Sequence, residues 1–300
     1  MIKIIIISNM LKDLIFKSLF ETLKIGSIIL VLMIALEYIE IKYNKRLKNF
    51  FSKNRFIKIS FSSLFGIIPG CIGTFAVDSL YMSGIIGFGA INSVLIATSG
   101  DEAFAIIGMA FTQGSKITVS TLILLFSTLF ILGIIGGYLA LLYKKIFKIS
   151  LCTKCTIIHK EEEKENRPDL NHFVKEHIIN HIIKKHFISL LMWLFVSILF
   201  ISSLDTVFNM QKILTHNKSI LLLLGAFVGI LPVSGPNLLF VTLFSQGMIP
   251  FSVLLTNSIV QDGHGSLPLL SFSVTDTIKI KMFNLLFGLT TGIILMILGF

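Results

Sequence analysis

Residues 229–267, GILPVSGPNLLFVTLFSQGMIPFSVLLTNSIVQDGHGSL, align without a gap on residues 66–104, GIIPGCIGTFAVDSLYMSGIIGFGAINSVLIATSGDEAF, 163 positions earlier. Nine of the 39 positions are identical: Gly66/Gly229, Ile67/Ile230, Pro69/Pro232, Leu80/Leu243, Gly84/Gly247, Ile86/Ile249, Phe88/Phe251, Ile96/Ile259 and Gly100/Gly263. Unrelated apolar stretches would match mainly at Leu and Ile, whereas four of these nine matches are Gly or Pro and one is Phe. The two stretches read as copies of one module.

Both copies are apolar but are cut by Gly, Pro and charged residues. Asp101 and Glu102 stand in the first, Asp262 and His264 in the second. A carboxylate at mid-bilayer costs roughly 2.5–3.5 kcal/mol on insertion scales, so intramembrane acids read as an ion or substrate site. Membrane residence follows from composition. The 300 residues are 54% hydrophobic and 14% charged, with a mean hydropathy of +0.88, which is the polytopic membrane class.

The net charge of +10 would suit nucleic acid, but seven basic residues fall between Lys42 and Lys58 and ten between Lys144 and Lys185. That clustering is the positive-inside pattern, so both segments are expected in the cytoplasm and no nucleic-acid partner is expected. No small-residue cleavage site follows MIKIIIISNML, so the N-terminus is expected to be retained. Cys71, Cys152 and Cys155 are too few for a disulfide framework, and free thiols are expected.

Long apolar runs at about 18–40, 118–143, 187–208 and 282–300 can each cross a hydrocarbon core, which needs about 20 helical residues. Between them lie the broken stretches, about 59–112 and 219–275. Lipid cannot satisfy the backbone groups freed by a break, so irregular backbone at membrane depth must face protein or a wet cavity. Three crossings within 54 residues need about 90 Å of helix where roughly 81 Å is available, so some segments are short or re-entrant.

With 41–58 and 144–185 inside, the first broken stretch crosses an odd number of times. The second starts inside near 186 and returns by a weakly basic turn at 276–281. The expected fold is an all-α polytopic membrane protein of two inverted repeats with broken or re-entrant helices and about ten nominal spans. Residues 1–149 form the first membrane repeat, 150–186 a cytoplasmic Cys/His-bearing linker, and 187–300 the second repeat.

Candidate ligands in the first copy are Thr98, Ser99, Asp101 and Glu102, with Cys71 and Asp78 on preceding segments. In the second they are Ser234, Asn237, Asn257, Gln261, Asp262 and His264. Mixed carboxylate, amide and imidazole ligation suits hard or borderline divalent metals such as manganese, iron or zinc, while arsenite would want several sulfurs. Ser99-Gly100-Asp101-Glu102 also fits a helix N-cap with acids in the first turn. In the linker, Cys152, Cys155 and His159 at i, i+3, i+7 and His177 with His181 at i, i+4 share helix faces, as a metal-collecting loop requires. No GxxxxGK[ST], GxSxG or HExxH occurs, so no enzyme is expected. An intramembrane hydrolase built on Asp101 and Asp262 is the residual enzymatic reading.

GIIPGCIG, ATSGDEAF and the whole of 229–267 with the following PLL resemble the bacterial family of ten-transmembrane heavy-metal exporters, whose members are labelled manganese transporters or arsenic efflux proteins. The resemblance covers nearly the whole chain and implies metal export. It implicates Pro69, Gly70 and Cys71, then Ser99, Gly100, Asp101 and Glu102, then Pro232, Ser234, Gly235 and Pro236, then Gln261, Asp262, Gly263 and His264. The central loop is sparser in histidine than in other members.

The expectation is a secondary transporter that moves a divalent transition metal, manganese by preference, out of the cytosol by proton exchange. A carboxylate that loses its proton to accept metal couples the two fluxes. Its partners are the metal substrate and the lipid of a bacterial cytoplasmic membrane. It needs no cofactor, and a homo-oligomer is compatible with this reading. The alternatives are an arsenical efflux permease using Cys71 and a non-transporting membrane sensor or anchor subunit.

Overall fold

A helix with no polar face has to be surrounded by protein or lipid. Phe88–Ala97 is such a helix, and all of its residues are buried within the chain. Everything else is arranged around it and its counterpart. The computed structural model describes residues 12, 14–31, 34, 54–82, 84–149, 187–208 and 218–300.

In chain order the helices are α1 (residues 14–31), α2 (Arg55–Gly66), α3 (Ile72–Met82), α4 (Phe88–Ala97), α5 (Glu102–Ala110), α6 (Val119–Ile146) and α7 (Ile188–Phe208). They are followed by α8 (Lys218–Gly229), a 3-10 turn at Gly235–Asn237, α9 (Leu238–Ser245), α10 (Phe251–Val260), α11 (Leu267–Phe272) and α12 (Val274–Ile297). Among the described residues every regular element is helical.

The repeat seen in sequence recurs in the helix bounds. Shifting α2 and α4 by 163 positions gives the bounds of α8 and α10, and shifting α3 gives the bounds of the 3-10 turn together with α9. The turns agree as well. Gly84 has φ +74° and Gly247 +73°, and Gly100 has +51° and Gly263 +52°.

Within each copy α4 or α10 is clasped by the preceding helix and by a long closing helix: α2 and α6 hold α4, and α8 and α12 hold α10. The closing helices approach through GxxxG seams. Gly137 of α6 lies on Gly89 and Ser93, and Gly288 of α12 on Ile259 and Val260. Small residues let helix backbones come close where lipid offers no hydrophobic drive for association. Hydroxyls add to the seam, with Ser63 Oγ donating to Phe130 O at 2.7 Å and Ser93 Oγ to Ile59 O at 2.9 Å. The outer face of α6 carries exposed Ile123, Ile131, Ile135 and Leu142, the surface expected against lipid.

Between the copies the partners are exchanged. Helix α3 of the first packs against α11 of the second, α5 of the first against α9 of the second, and α4 against α10. Among the described residues, Phe88–Ala110 (interrupted at 98–101), Val119–Ile146 and Val274–Ile297 are long and apolar enough to cross a membrane, with shorter apolar helices at Leu190–Phe200, Lys218–Gly229, Gly235–Ser245 and Phe251–Val260.

One expectation is corrected. Residues 276–281 are not a turn but the start of α12. Ser273 caps it, its side chain accepting from the Asp276 N–H at 3.2 Å, with Asp276 in the first turn. The cap draws the helix start back from the apolar run at 282 and carries Lys281 inside.

Candidate metal centre

Both copies break their helices in the same places. In the first, α2 stops at Gly66 and α4 at Ala97, where Thr98 turns extended (φ −80°, ψ 137°). Gly70 N donates to Gly100 O at 3.0 Å, which ties the first break to the second. That bond sets Cys71 beside Asp101, and the thiol reaches Asp101 Oδ1 at 3.9 Å. In the second copy α10 stops at Val260 and Gln261 repeats the extended geometry (φ −75°, ψ 143°).

The breaks of the two copies meet. Gln261 Nε2 donates to Thr98 O at 3.3 Å, and His264 Nδ1 lies 3.4 Å from Asp101 Oδ2. A Cβ on Gly100 would stand 3.6 Å from Gly263 Cα. Each of these three pairs joins a residue to its own counterpart, as residues on a two-fold axis do. Gly100 and Gly263 suit this approach because their positive φ disfavours a side chain, and at Gly263 a Cβ would also stand 2.7 Å from Ser234 Oγ.

Beside the axis, one ligand atom each from Cys71, Asp101 and His264 lie within 4.8 Å of one another. Cys71 and Asp101 are buried, and the His264 side chain is 32% exposed. Bonds of about 2.0–2.3 Å in a tetrahedral zinc-type site put ligand atoms about 3.5 Å apart, so the three need little contraction to close on an ion. Oxygens stand ready nearby. Ser234, the counterpart of Cys71, places its Oγ against Gly100 and Gly263, with Gln261 Oε1 beside it. Among the described residues neither oxygen has a hydrogen-bond partner, nor does Ser99 Oγ.

Asp101 takes the N-cap position of α5, but its side chain makes no cap bond. It is turned toward Cys71 and His264, so the helix start with acids anticipated from the sequence is present but without a cap bond from the Asp101 side chain. Glu102 is buried in the first turn of α5, faces Asn237, and lies within Coulombic reach of Asp101 and Asp262. Asn257 is spent on structure, with Nδ2 donating to Gly225 O at 2.9 Å and to Asn237 Oδ1 at 2.8 Å. Asn237 Nδ2 closes the second break by donating to Val233 O at 3.0 Å. Gly235 lies under the Trp193 indole and starts the 3-10 turn, with Pro236 as its second residue. Pro69 and Pro232 fall in the two non-helical breaks after α2 and α8.

Asp262 is turned away from the cluster and pairs through Oδ1 with Lys281 Nζ at 2.5 Å. Lys281 was missed in the sequence because Lys279 and Lys281 looked like loop charges. The signal was there: Thr277, Lys281, Asn284 and Gly288 fall at i, i+4, i+7 and i+11, and all are buried on one face of α12. The linker candidates Cys152, Cys155, His159, His177 and His181 lie outside the described residues.

A family model described as "Putative, 10TM heavy-metal exporter" matches residues 11–207 and again residues 146–298, and the double match accords with an internal repeat. No curated protein and no solved structure matches the chain.

Proposed function

Because the chain belongs to the 10TM heavy-metal exporter family, and is thus a multi-pass membrane protein of a transporter family rather than an enzyme family, we propose that it exports a divalent transition metal through Cys71, Asp101 and His264. The observation that carries this reading is the convergence of one sulfur, one carboxylate and one imidazole within 4.8 Å, where the breaks of the two copies meet. Buried acids nearby favour a cation: Cys71 lies within Coulombic reach of Asp101, Asp262 and Glu102.

The sulfur shifts the preference. An oxygen-dominated site would favour manganese, whereas thiolate, imidazole and carboxylate together favour zinc, iron(II) or cobalt(II). Metal ligands bind deprotonated, so loading releases protons and supports exchange against them.

The copies are proposed to be inverted, with about ten spans and a cytoplasmic linker at 150–186 between repeats 1–149 and 187–300. The positive-inside rule applied to the basic segments 41–58 and 144–185 supports this orientation, in a bacterial cytoplasmic membrane.

Flux of zinc, cobalt, iron(II) and manganese into a metal-sensitive dye inside vesicles holding the purified chain tests the proposal. Transport of at least one, abolished by Asp101→Asn, is expected; no movement of any leaves a sensor or anchor. Arsenical export is the second reading, favoured by the Cys71 thiol in the cluster. Loss of arsenite export in Cys71→Ser, with Asp101→Asn unaffected, would establish it.

A further inference from the structure

Asp78 sits in the middle of α3, fully buried, and among the described residues neither of its carboxylate oxygens has a hydrogen-bond partner. An isolated buried carboxylate is costly, so such a group is paired, neutralised or holding a cation. Its surroundings are defined. Thr74, one turn before it, touches Gly265 in the turn between α10 and α11, and Asp78 lies within Coulombic reach of Asp262 in that turn. Asp262 is already matched by Lys281, and Ser266 faces its side chain.

Among the described residues, the rest of the neighbourhood supplies no counter-charge to Asp78. Helices α4 and α11 contain no charged residue, and the basic residues of α2, Arg55 and Lys58, stand at its beginning. One turn further along α3, Tyr81 donates to Asp276 Oδ2 at 3.1 Å, and Asp276 also faces Lys279 at 4.0 Å. Two carboxylates, Asp78 and Asp262, against the single ammonium of Lys281 leave one negative charge in this set, with Glu102 within reach of Asp262 but facing Asn237 instead. A divalent ion would overshoot it; one monovalent cation neutralises it.

We infer that Asp78 holds a single monovalent cation, a proton or sodium, at a second station distinct from the Cys71–Asp101–His264 cluster, and that this is the ion exchanged for metal. The assignment rests on the proposed export. It also explains a break in the symmetry: the counterparts of Asp78, Asp262 and Lys281 in the other copy are the uncharged Val241, Ser99 and Thr118. The station therefore exists on one side of the axis only.

The test is modification of the full-length chain in vesicles by a hydrophobic carbodiimide, which attacks protonated carboxyls, with the Asp78 peptide followed by mass spectrometry. Labelling of Asp78 is expected to fall at least tenfold either on raising the pH in sodium-free buffer or on adding sodium at fixed pH. A fall with pH that added sodium does not alter identifies a proton; protection by sodium at fixed pH identifies sodium. In parallel, transport by Asp78→Asn is expected to lose its response to an imposed pH or sodium gradient, with Asp78→Glu restoring it and zinc affinity staying within about twofold. Labelling indifferent to both cations, or an Asp78→Asn variant still driven by the gradient, overturns the inference. Cation-dependent labelling in a chain that binds and moves no metal would keep the station and dismiss export.

Discussion

His264 Nδ1 stands 3.4 Å from Asp101 Oδ2, and the two residues occupy the same position in the two copies of the repeat. Duplication set two identical places against each other at the axis, and divergence made one an acid and the other an imidazole. Flanking them, Cys71 and Ser234 are again counterparts, one soft and one hard. The Cys71–Asp101–His264 cluster is thus a departure from the repeat at the point where the two copies meet.

Removing either half of that pair should empty the site. Asp101→Asn and His264→Ala are each expected to weaken zinc or cobalt binding beyond the roughly 10–100-fold typical of changes to groups that only orient a ligand. Titration calorimetry on the purified chain measures it; near-wild-type affinity in either variant would remove that residue from the ligand set.

Cys71→Ser replaces sulfur by oxygen in the same place. With cobalt(II) as probe, the thiolate-to-metal charge-transfer absorption should be present in the wild-type chain and absent in the variant. Selectivity should move toward manganese. An unchanged cobalt spectrum would mean that the thiol stays out of the coordination sphere.

Gly263→Ala sets a Cβ 2.7 Å from Ser234 Oγ at a residue with φ +52°. It should destabilise the fold by more than about 1 kcal/mol. Gly114→Ala is the control: φ is +86° but nothing lies within 4 Å of the added atom, so only backbone strain remains. Thermal unfolding in detergent should rank Gly263→Ala as the more damaging of the two.

Lys281→Met leaves Asp262 buried without its ion-pair partner, and breaking such a pair by removing one member costs about 3–5 kcal/mol. Combining it with Asp262→Asn should recover most of that loss. A double variant as unstable as the sum of the single changes would show that the two groups act independently.

The repeat was legible because it is carried by residues whose job is conformational. Gly84/Gly247 and Gly100/Gly263 keep matching φ angles, so their identity survived where that of neighbouring apolar residues drifted. The ligand stretch was legible because acids are conspicuous in apolar sequence. Asp101, Cys71 and His264 were all singled out and the two halves were expected to meet, but that Cys71 joins Asp101 and His264 in place of Glu102 and Asp262 was not legible, since it depends on the Gly70 to Gly100 backbone bond. Asp262 was read together with its near neighbour His264, yet its side chain turns to Lys281 on another helix. Asp78 drew little weight because no acid stands at its counterpart, Val241. A pairwise comparison of copies finds what they share and passes over what only one of them acquired.

The glycine seams have a mechanical consequence. Where Gly137 rests on the backbone of Gly89, there is no cushion of side chain to deform, and the hydroxyl bond from Ser93 to Ile59 fastens the other flank. Helices α2, α4 and α6 are in this sense welded into a single strut, so any change of shape in this half falls to the irregular backbone at its two breaks, 67–71 and 98–101.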